Sequence, residues 1–331
     1  MLHCNCPKPN LYGNGPTEGL MIIGEFPSKR DLVVGSNFTG PQAEVLRLSL
    51  PKEYSKFYAT NTLCNHPKDR KKLNARQCID RLTEEIKHVN PSKLLLLGDL
   101  TARALLNRKL VDVEGRWIEY NGIPTLCTYS PYVTFRSIEL DRDFSATLEK
   151  LNKPKAEYPF RDVFHLINKT EDFIDIMNGF GDNLISLDIE TMFHTNPKLG
   201  AIHSIGVNIK GQDVYIIKAD LFTDEMWNCF KNRRFNSWNG QYEFDWIFEK
   251  SGIEINVEHD GFLHHYFQDE RGGIESVTKG AGVHKLKTVV SKKYDIEPWD
   301  IDIEKLWKLP DSISLPYLCK DVEANWLGSD F

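Results

Sequence analysis

Leu184-Ile185-Ser186-Leu187-Asp188-Ile189-Glu190 is an apolar run that closes on two carboxylates. Residues two apart on a strand share a face, so Asp188 and Glu190 project together. Paired like charges at a strand end are costly unless a cation neutralises them. Oxygen ligands of this kind suit Mg²⁺ or Mn²⁺. The run is the first of three strand-like segments, 184–189, 201–209 and 213–218, joined by turns at Pro197/Gly200 and at Gly211. Helical patterns follow, and strands first with helices later predict a mixed sheet.

Two further pieces lie downstream. Trp238-Asn239-Gly240-Gln241-Tyr242-Glu243-Phe244-Asp245-Trp246-Ile247 sets an acid four residues after an Asn. Tyr317-Leu318-Cys319-Lys320-Asp321 sets Tyr317 and Asp321 four apart, on one face of a helix. Between them stand the stretch His259 to Arg271 and the segment His284-Lys285-Leu286-Lys287. In this order, residues 160–331 resemble the proofreading 3′–5′ exonuclease domain of family-A DNA polymerases, the four-carboxylate class with a tyrosine in its third motif. The resemblance implies a ribonuclease H-like fold, with Asp188, Glu190 and Asp321 holding two Mg²⁺ or Mn²⁺ ions and Tyr317 orienting the attacking water. The family has Asp as its second-motif acid. An ungapped reading from Asn239 puts Glu243 there with Ile247 at the following apolar position, whereas Asp245 would move Gln241 onto the Asn position; Glu243 is therefore preferred as the fourth metal-holding acid.

The first half has another rhythm. Apolar runs at 20–23, 57–60, 93–98 and 124–129 alternate with helical spacing at 41–50, 75–89, 102–106 and 144–151. That alternation predicts a layered α/β domain with a mainly parallel sheet. Asn152-Lys153-Pro154-Lys155-Ala156-Glu157-Tyr158-Pro159 is polar and aperiodic, so residues 1–151 and 161–331 read as two domains joined by a linker at 152–160. Gly24-Glu25-Phe26-Pro27-Ser28, Phe38, Tyr58-Ala59-Thr60-Asn61, Cys64, Pro67, Arg70, Cys78 and Thr128-Tyr129-Ser130-Pro131 follow in order. This series is similar to family-4 uracil-DNA glycosylases, which implies a three-layer α/β/α domain with a flipped-base pocket at Glu25, Phe38, Asn61 and Ser130. Ser28 stands where that family has glycine, and Ser130 where it has the histidine that stabilises departing uracil. Base binding is therefore expected without uracil excision.

The same family holds a [4Fe-4S] cluster on four cysteines, and Cys4, Cys6, Cys64 and Cys78 fall in order, with closer spacing within each pair. Thiolates select iron–sulfur clusters or zinc, and His3 and His66 keep Zn²⁺ as the alternative; four reduced thiols are the plain reading. Lys68, Arg70, Lys71 and Lys72, with Arg76, form a basic cluster suited to DNA phosphates.

The 331 residues carry 41% hydrophobic and 27% charged side chains, the balance of an ordinary folded protein. No apolar run approaches a membrane span, and seven cysteines, an odd number, do not form a secreted disulfide framework. A cytoplasmic protein is expected, in the host cell's cytoplasm if phage-encoded. Residues 1–155 hold 23 Lys and Arg against 17 Asp and Glu, and the remainder 18 against 30, so a basic half precedes an acidic one. The domain pairing resembles the N-terminal part of DNA polymerases of some large bacteriophages. It implies a DNA exonuclease acting on single-stranded or mismatched 3′ ends, with a polymerase domain in cis or in trans. The alternative is a non-catalytic DNA-binding accessory module of a replication polymerase.

Overall fold

The computed structural model describes residues 10–68, 74–133, 135, 137–268, 284–301 and 303–329. The chain divides into two compact units: 1–156 with 292–296, and 157–291 with 297–331.

In the first unit, strands Leu20–Gly24 (β1), Tyr58–Asn61 (β2), Lys93–Leu97 (β3), Trp117–Tyr120 (β4) and Ile123–Thr128 (β5) form one sheet in the order β2-β1-β3-β5-β4. All pairs are parallel except β4 with β5. Helices Lys29–Val34 (α1), Pro41–Ser49 (α2), Arg76–Val89 (α3), Asp99–Leu106 (α4) and Ile138–Glu149 (α5) accompany it. The period-two alternation of β1 explains the layering. Leu20 and Ile22 join a core with Leu46, Phe144 and Leu148, while Met21 and Ile23 face Leu82, Ile86 and Ala102. Helices thus cover both faces, the three-layer α/β/α arrangement. The antiparallel edge strand β4 is absent from the sequence reading. Its signal was Asn121-Gly122, with φ of 49° and 79°, the dipeptide that turns a two-residue hairpin.

The second unit holds Phe164–Leu166 (β6), Leu184–Met192 (β7), Ala201–Asn208 (β8), Val214–Lys218 (β9), Arg234–Ser237 (β10) and Asn256–Asp260 (β11), in the order β11-β10-β7-β8-β9-β6. β7, β8 and β9 run antiparallel in succession, and β10 and β11 extend the β7 side in parallel. That order and those directions are those of a ribonuclease H-like mixed sheet. β10 and β11 lie where the sequence reading placed only helices. Arg234-Phe235-Asn236-Ser237 carries too few apolar residues to declare itself a strand, and pairing with β7 supplies what propensity lacks. The α-helices of the rest of the chain are Thr170–Gly179 (α6), Asp224–Asn228 (α7), Gln241–Ser251 (α8), Gly261–Gln268 (α9), Leu286–Tyr294 (α10), whose residues from 292 on belong to the first unit, and Asp311–Gly328 (α11). None of the described helices is long and apolar enough to cross a membrane.

Candidate metal centre and base pocket

Strand β7 delivers Asp188 and Glu190 to one point, and the β7–β8 register shifts immediately after Glu190. Such a bulge bends a strand and re-aims its side chains. Helix α11 lies against the same sheet at Gly206, where a Cβ would come within 2.7 Å of Val322. Three side-chain bonds hold it there: Ser186 Oγ donates to Val322 O at 2.7 Å, Asn325 Nδ2 to Leu187 O at 3.0 Å, and Trp326 Nε1 to Asn208 Oδ1 at 2.8 Å. This docking carries Asp321 to the β7 pair. One carboxylate oxygen from each of Asp188, Glu190 and Asp321 lies within 4.8 Å of the others.

Helix α8 brings the fourth acid. Asp260 accepts from the backbone N–H groups of Asn239 and Gly240 at 3.0 and 2.9 Å, and Gly240 fits against Val257 where a Cβ would come within 2.4 Å. With its start fixed, α8 turns Glu243 inward, 2% exposed, its Oε2 without a hydrogen-bond partner. Asp245 faces solvent, bound by Gln241 Nε2 at 2.7 Å. Asp188, Glu190, Glu243, Tyr317 and Asp321 all line one cavity of about 510 Å³, which Asp245 does not.

The electrostatics follow from crowding. Burial, then the neighbouring carboxylates, pushes Asp188 and Glu190 well above the usual carboxylate range. Burial lifts Glu243 to about 8. Burial also raises Asp321, against the pull of Lys287. The Tyr317 hydroxyl is raised by burial and by the acids around it. Lys287 donates to the Tyr317 hydroxyl and, at 3.1 Å, to Asp321 Oδ2; Trp299 Nε1 donates to Asp321 Oδ1 at 2.6 Å. Lys287 lies 34 residues from Asp321 and Trp299 lies 22 away, so no local spacing in the sequence announces either contact.

Phe193 also lines this cavity. Its φ is 71°, and His194 N donates to Met192 O across it at 2.9 Å, which closes a γ-turn of the strained kind. Its ring is 65% exposed and lies 5.0 Å from that of Trp307, a second aromatic on the cavity wall.

In the first unit, Glu25, Phe38, Asn61 and Ser130 line a single cavity of about 520 Å³ at the C-terminal ends of the strands, together with His66. Asn61 Nδ2 donates to Asn37 Oδ1 at 2.7 Å, and Asn37 is anchored on the carbonyls of Tyr12 and Ala59. Glu25 accepts from Leu100 N at 3.0 Å and fills the notch at Gly98, where φ is 91°. Ser28 is a helix cap: its Oγ accepts from Asp31 N at 3.1 Å, and Asp31 accepts from Ser28 N at 2.7 Å. His66, placed in the sequence reading only as a zinc alternative, donates through Nδ1 to Pro27 O at 2.9 Å.

Cys64 and Cys78 are buried with their sulfurs 3.8 Å apart. Cys4, Cys6, Arg70, Lys71 and Lys72 lie outside the described residues, and Lys68 is exposed. Burial raises the thiols of Cys127, Cys229 and Cys319 to about 12, which marks them as packing residues.

Residues 12–152 match the Uracil DNA glycosylase superfamily. No curated protein matches the chain in sequence. Solved structures to which the chain shows similarity include Brucella melitensis NrnC bound to pGG, at 12% identity and TM-score 0.38, covering 50% of this chain and 76% of that one. Trypanosoma brucei RNase D in complex with RNA U12 is similar at 20% identity and TM-score 0.33, covering 52% and 63%. The EXO domain of Aedes aegypti Nibbler is similar at 12% identity and TM-score 0.39, covering 53% and 89%.

Proposed function

We propose that the chain is a metal-dependent 3′–5′ exonuclease that hydrolyses DNA from single-stranded or mismatched 3′ ends, with residues 161–331 as the nuclease domain. The carrying observation is the cluster itself: three carboxylates with oxygens within 4.8 Å, joined in one cavity by a buried fourth acid and a tyrosine. Oxygen-only donors and an unpartnered Glu243 Oε2 fit a hard divalent cation. Asp188, Glu190, Glu243 and Asp321 would hold two Mg²⁺ or Mn²⁺ ions. When bound, such ions supply an activated water and neutralise the leaving oxygen.

The chain's own groups do the positioning. The Lys287 ammonium donates to the Tyr317 oxygen and to Asp321, which holds the hydroxyl beside that carboxylate at the cavity wall. The indole of Trp299 fixes the orientation of the Asp321 carboxylate. In this reading Tyr317 orients the attacking water, while the Phe193 ring borders the path into the cavity.

The first 151 residues act as a DNA-binding or polymerase-docking domain, in the manner of a bacteriophage replication polymerase carried in cis or in trans. Ser130 is short and cannot become cationic. A uracil anion leaving from the pocket of Glu25, Phe38 and Asn61 would therefore lack its donor, a loss worth about 10²–10³ in rate. Cys4, Cys6, Cys64 and Cys78 would hold a [4Fe-4S] cluster, or Zn²⁺ in its place; the 3.8 Å between the sulfurs of Cys64 and Cys78 favours zinc, since two thiolates about 2.3 Å from one tetrahedral ion stand that far apart, while cysteines on separate irons of a cluster stand farther apart. Lys68, Arg70, Lys71 and Lys72 would contact phosphates.

The deciding experiment is digestion of a 5′-labelled single strand with Mn²⁺ or Mg²⁺. Stepwise release of nucleoside monophosphates, stopped by EDTA, is expected; an intact strand would overturn the reading.

A further inference from the structure

The sheet of the first unit carries a second cavity, of about 650 Å³, at the end opposite the base pocket. Its walls come from the start of β3 (Lys93), the edge strand β4 (Trp117, Ile118), Tyr54, and the segment that leaves α5 (Leu151 to Lys155). β3 runs from Lys93 here to Leu97 at the base pocket, so about 13 Å of strand separates the two.

Lys93 is the unusual group. Its ammonium is half-buried and donates to Tyr54 Oη and to Leu151 O, both at 2.7 Å. The rings of Tyr54 and Trp117 flank it at 5.3 and 5.5 Å. All these partners are neutral, and among the described residues no carboxylate lies within ion-pair distance. Three other inward-facing cations do have one: Arg81 has Glu85, Lys150 has Asp295 and Lys287 has Asp321. A desolvated cation is normally matched by an anion. An ammonium has three N–H groups, and two of those on Lys93 are spoken for. The third N–H of Lys93 therefore has no acceptor among the described residues and is the donor this cavity offers a ligand.

We infer that this cavity binds a phosphate monoester carrying an organic group, of the nucleoside monophosphate class. The charge supports one phosphate rather than several. Lys93, Lys153 and Lys155 are opposed by Glu53 and Glu119 on the exposed rim, which leaves a small positive excess. The volume lies in the range of organic-ligand sites. Apolar walls at Ile118, Pro124, Leu151 and Pro154 suit a sugar and base beside the phosphate. The monoester can come from a free nucleotide or from the 5′-phosphorylated end of a strand.

The test is equilibrium binding to the whole chain in EDTA, by calorimetry, with dTMP, dAMP, thymidine, and matched 5′-phosphate and 5′-hydroxyl oligonucleotides. One saturable site is expected for the monophosphates and none for thymidine. It should persist in Asp188→Ala and weaken at least tenfold in Lys93→Met. A 5′-phosphate oligonucleotide that displaces dTMP where its 5′-hydroxyl twin does not would identify a strand end as the source; no displacement would identify the free nucleotide. If Lys93→Met does not fold, the double variant Lys153→Glu/Lys155→Glu replaces it, with the same expected loss. No saturable monophosphate binding, or unchanged affinity in the folded variants, overturns the inference. With no metal present, these results are independent of the nuclease reading.

Discussion

Replacing Glu243 by Gln separates the two demands on that carboxylate. In the folded, metal-free chain burial carries it from 4.5 to about 8, whereas in the unfolded chain it returns to its ordinary value. Between those limits the native state keeps a proton that the unfolded state has released. Stability therefore falls as pH rises through this window, and the loss is complete above about pH 8. At about 1.4 kcal/mol per pH unit, the interval amounts to a ceiling of about 5 kcal/mol. Glutamine keeps the shape and cannot ionise. Urea unfolding in EDTA should give similar midpoints for the two proteins near pH 5, with Glu243→Gln gaining steadily on the wild type towards pH 9. With Mn²⁺ present the variant should lose nuclease activity. Stability curves that stay parallel from pH 5 to 9 would refute the reasoning, because Glu243 would then ionise in the fold without a cation.

Asp188→Ala should lower the Mn²⁺-dependent nuclease rate by orders of magnitude, and Glu243→Ala should lower it more than Asp245→Ala, since only Glu243 lines the cavity; initial rates on a labelled strand give the ranking. Arg81→Met strands the buried Glu85, which Arg81 otherwise pairs while also binding the carbonyls of Asn61 and Thr62, and should destabilise the first unit by about 3–5 kcal/mol in denaturant unfolding. Gly200→Ala should lower the melting temperature, because its Cβ would sit 2.3 Å from His194 O and 2.9 Å from Met192 O, whereas Gly179→Ala, with nothing within 4 Å, should not. Phe193→Gly relieves a φ of 71° at an exposed position and should leave stability level or raise it by about 1 kcal/mol, measured by the same unfolding.

The carboxylate cluster was legible in pieces, because its parts are local, and the resemblance joined them. Asp188 and Glu190 share a strand face, and Tyr317 and Asp321 share a helix face, so spacing alone places each pair. The choice of Glu243 over Asp245 came from the ungapped register after Asn239, and composition played no part in it. The inward turn of Glu243 depends on how Asp260 and Val257 fix the start of α8, a contact from 17–20 residues away. Lys287 and Trp299 reach Asp321 only through tertiary packing, and no periodicity encodes that. The apolar strands β1, β3 and β7 stood out because burial on both faces requires near-continuous hydrophobic runs. β10 and β11 did not, since each borrows its stability from a neighbouring strand. His66 drew notice only as a nitrogen near cysteines, whereas its position on the base cavity depends on the loop that follows β2.

The strands differ in length in a patterned way. β7 and β8, at the middle of the second sheet, have nine and eight residues, while the sheet ends in β6 with three and β11 with five. In the first unit both outer strands, β2 and β4, have four, and Asn14 bridges to Ala59 alongside β2. An unpaired strand edge is a template on which another chain can add. Edges this short offer a stranger only two or three backbone bonds, too few to hold it. The long ladders lie inside, where each already has neighbours on both sides, so the protein in concentrated solution should resist growth into edge-to-edge fibres.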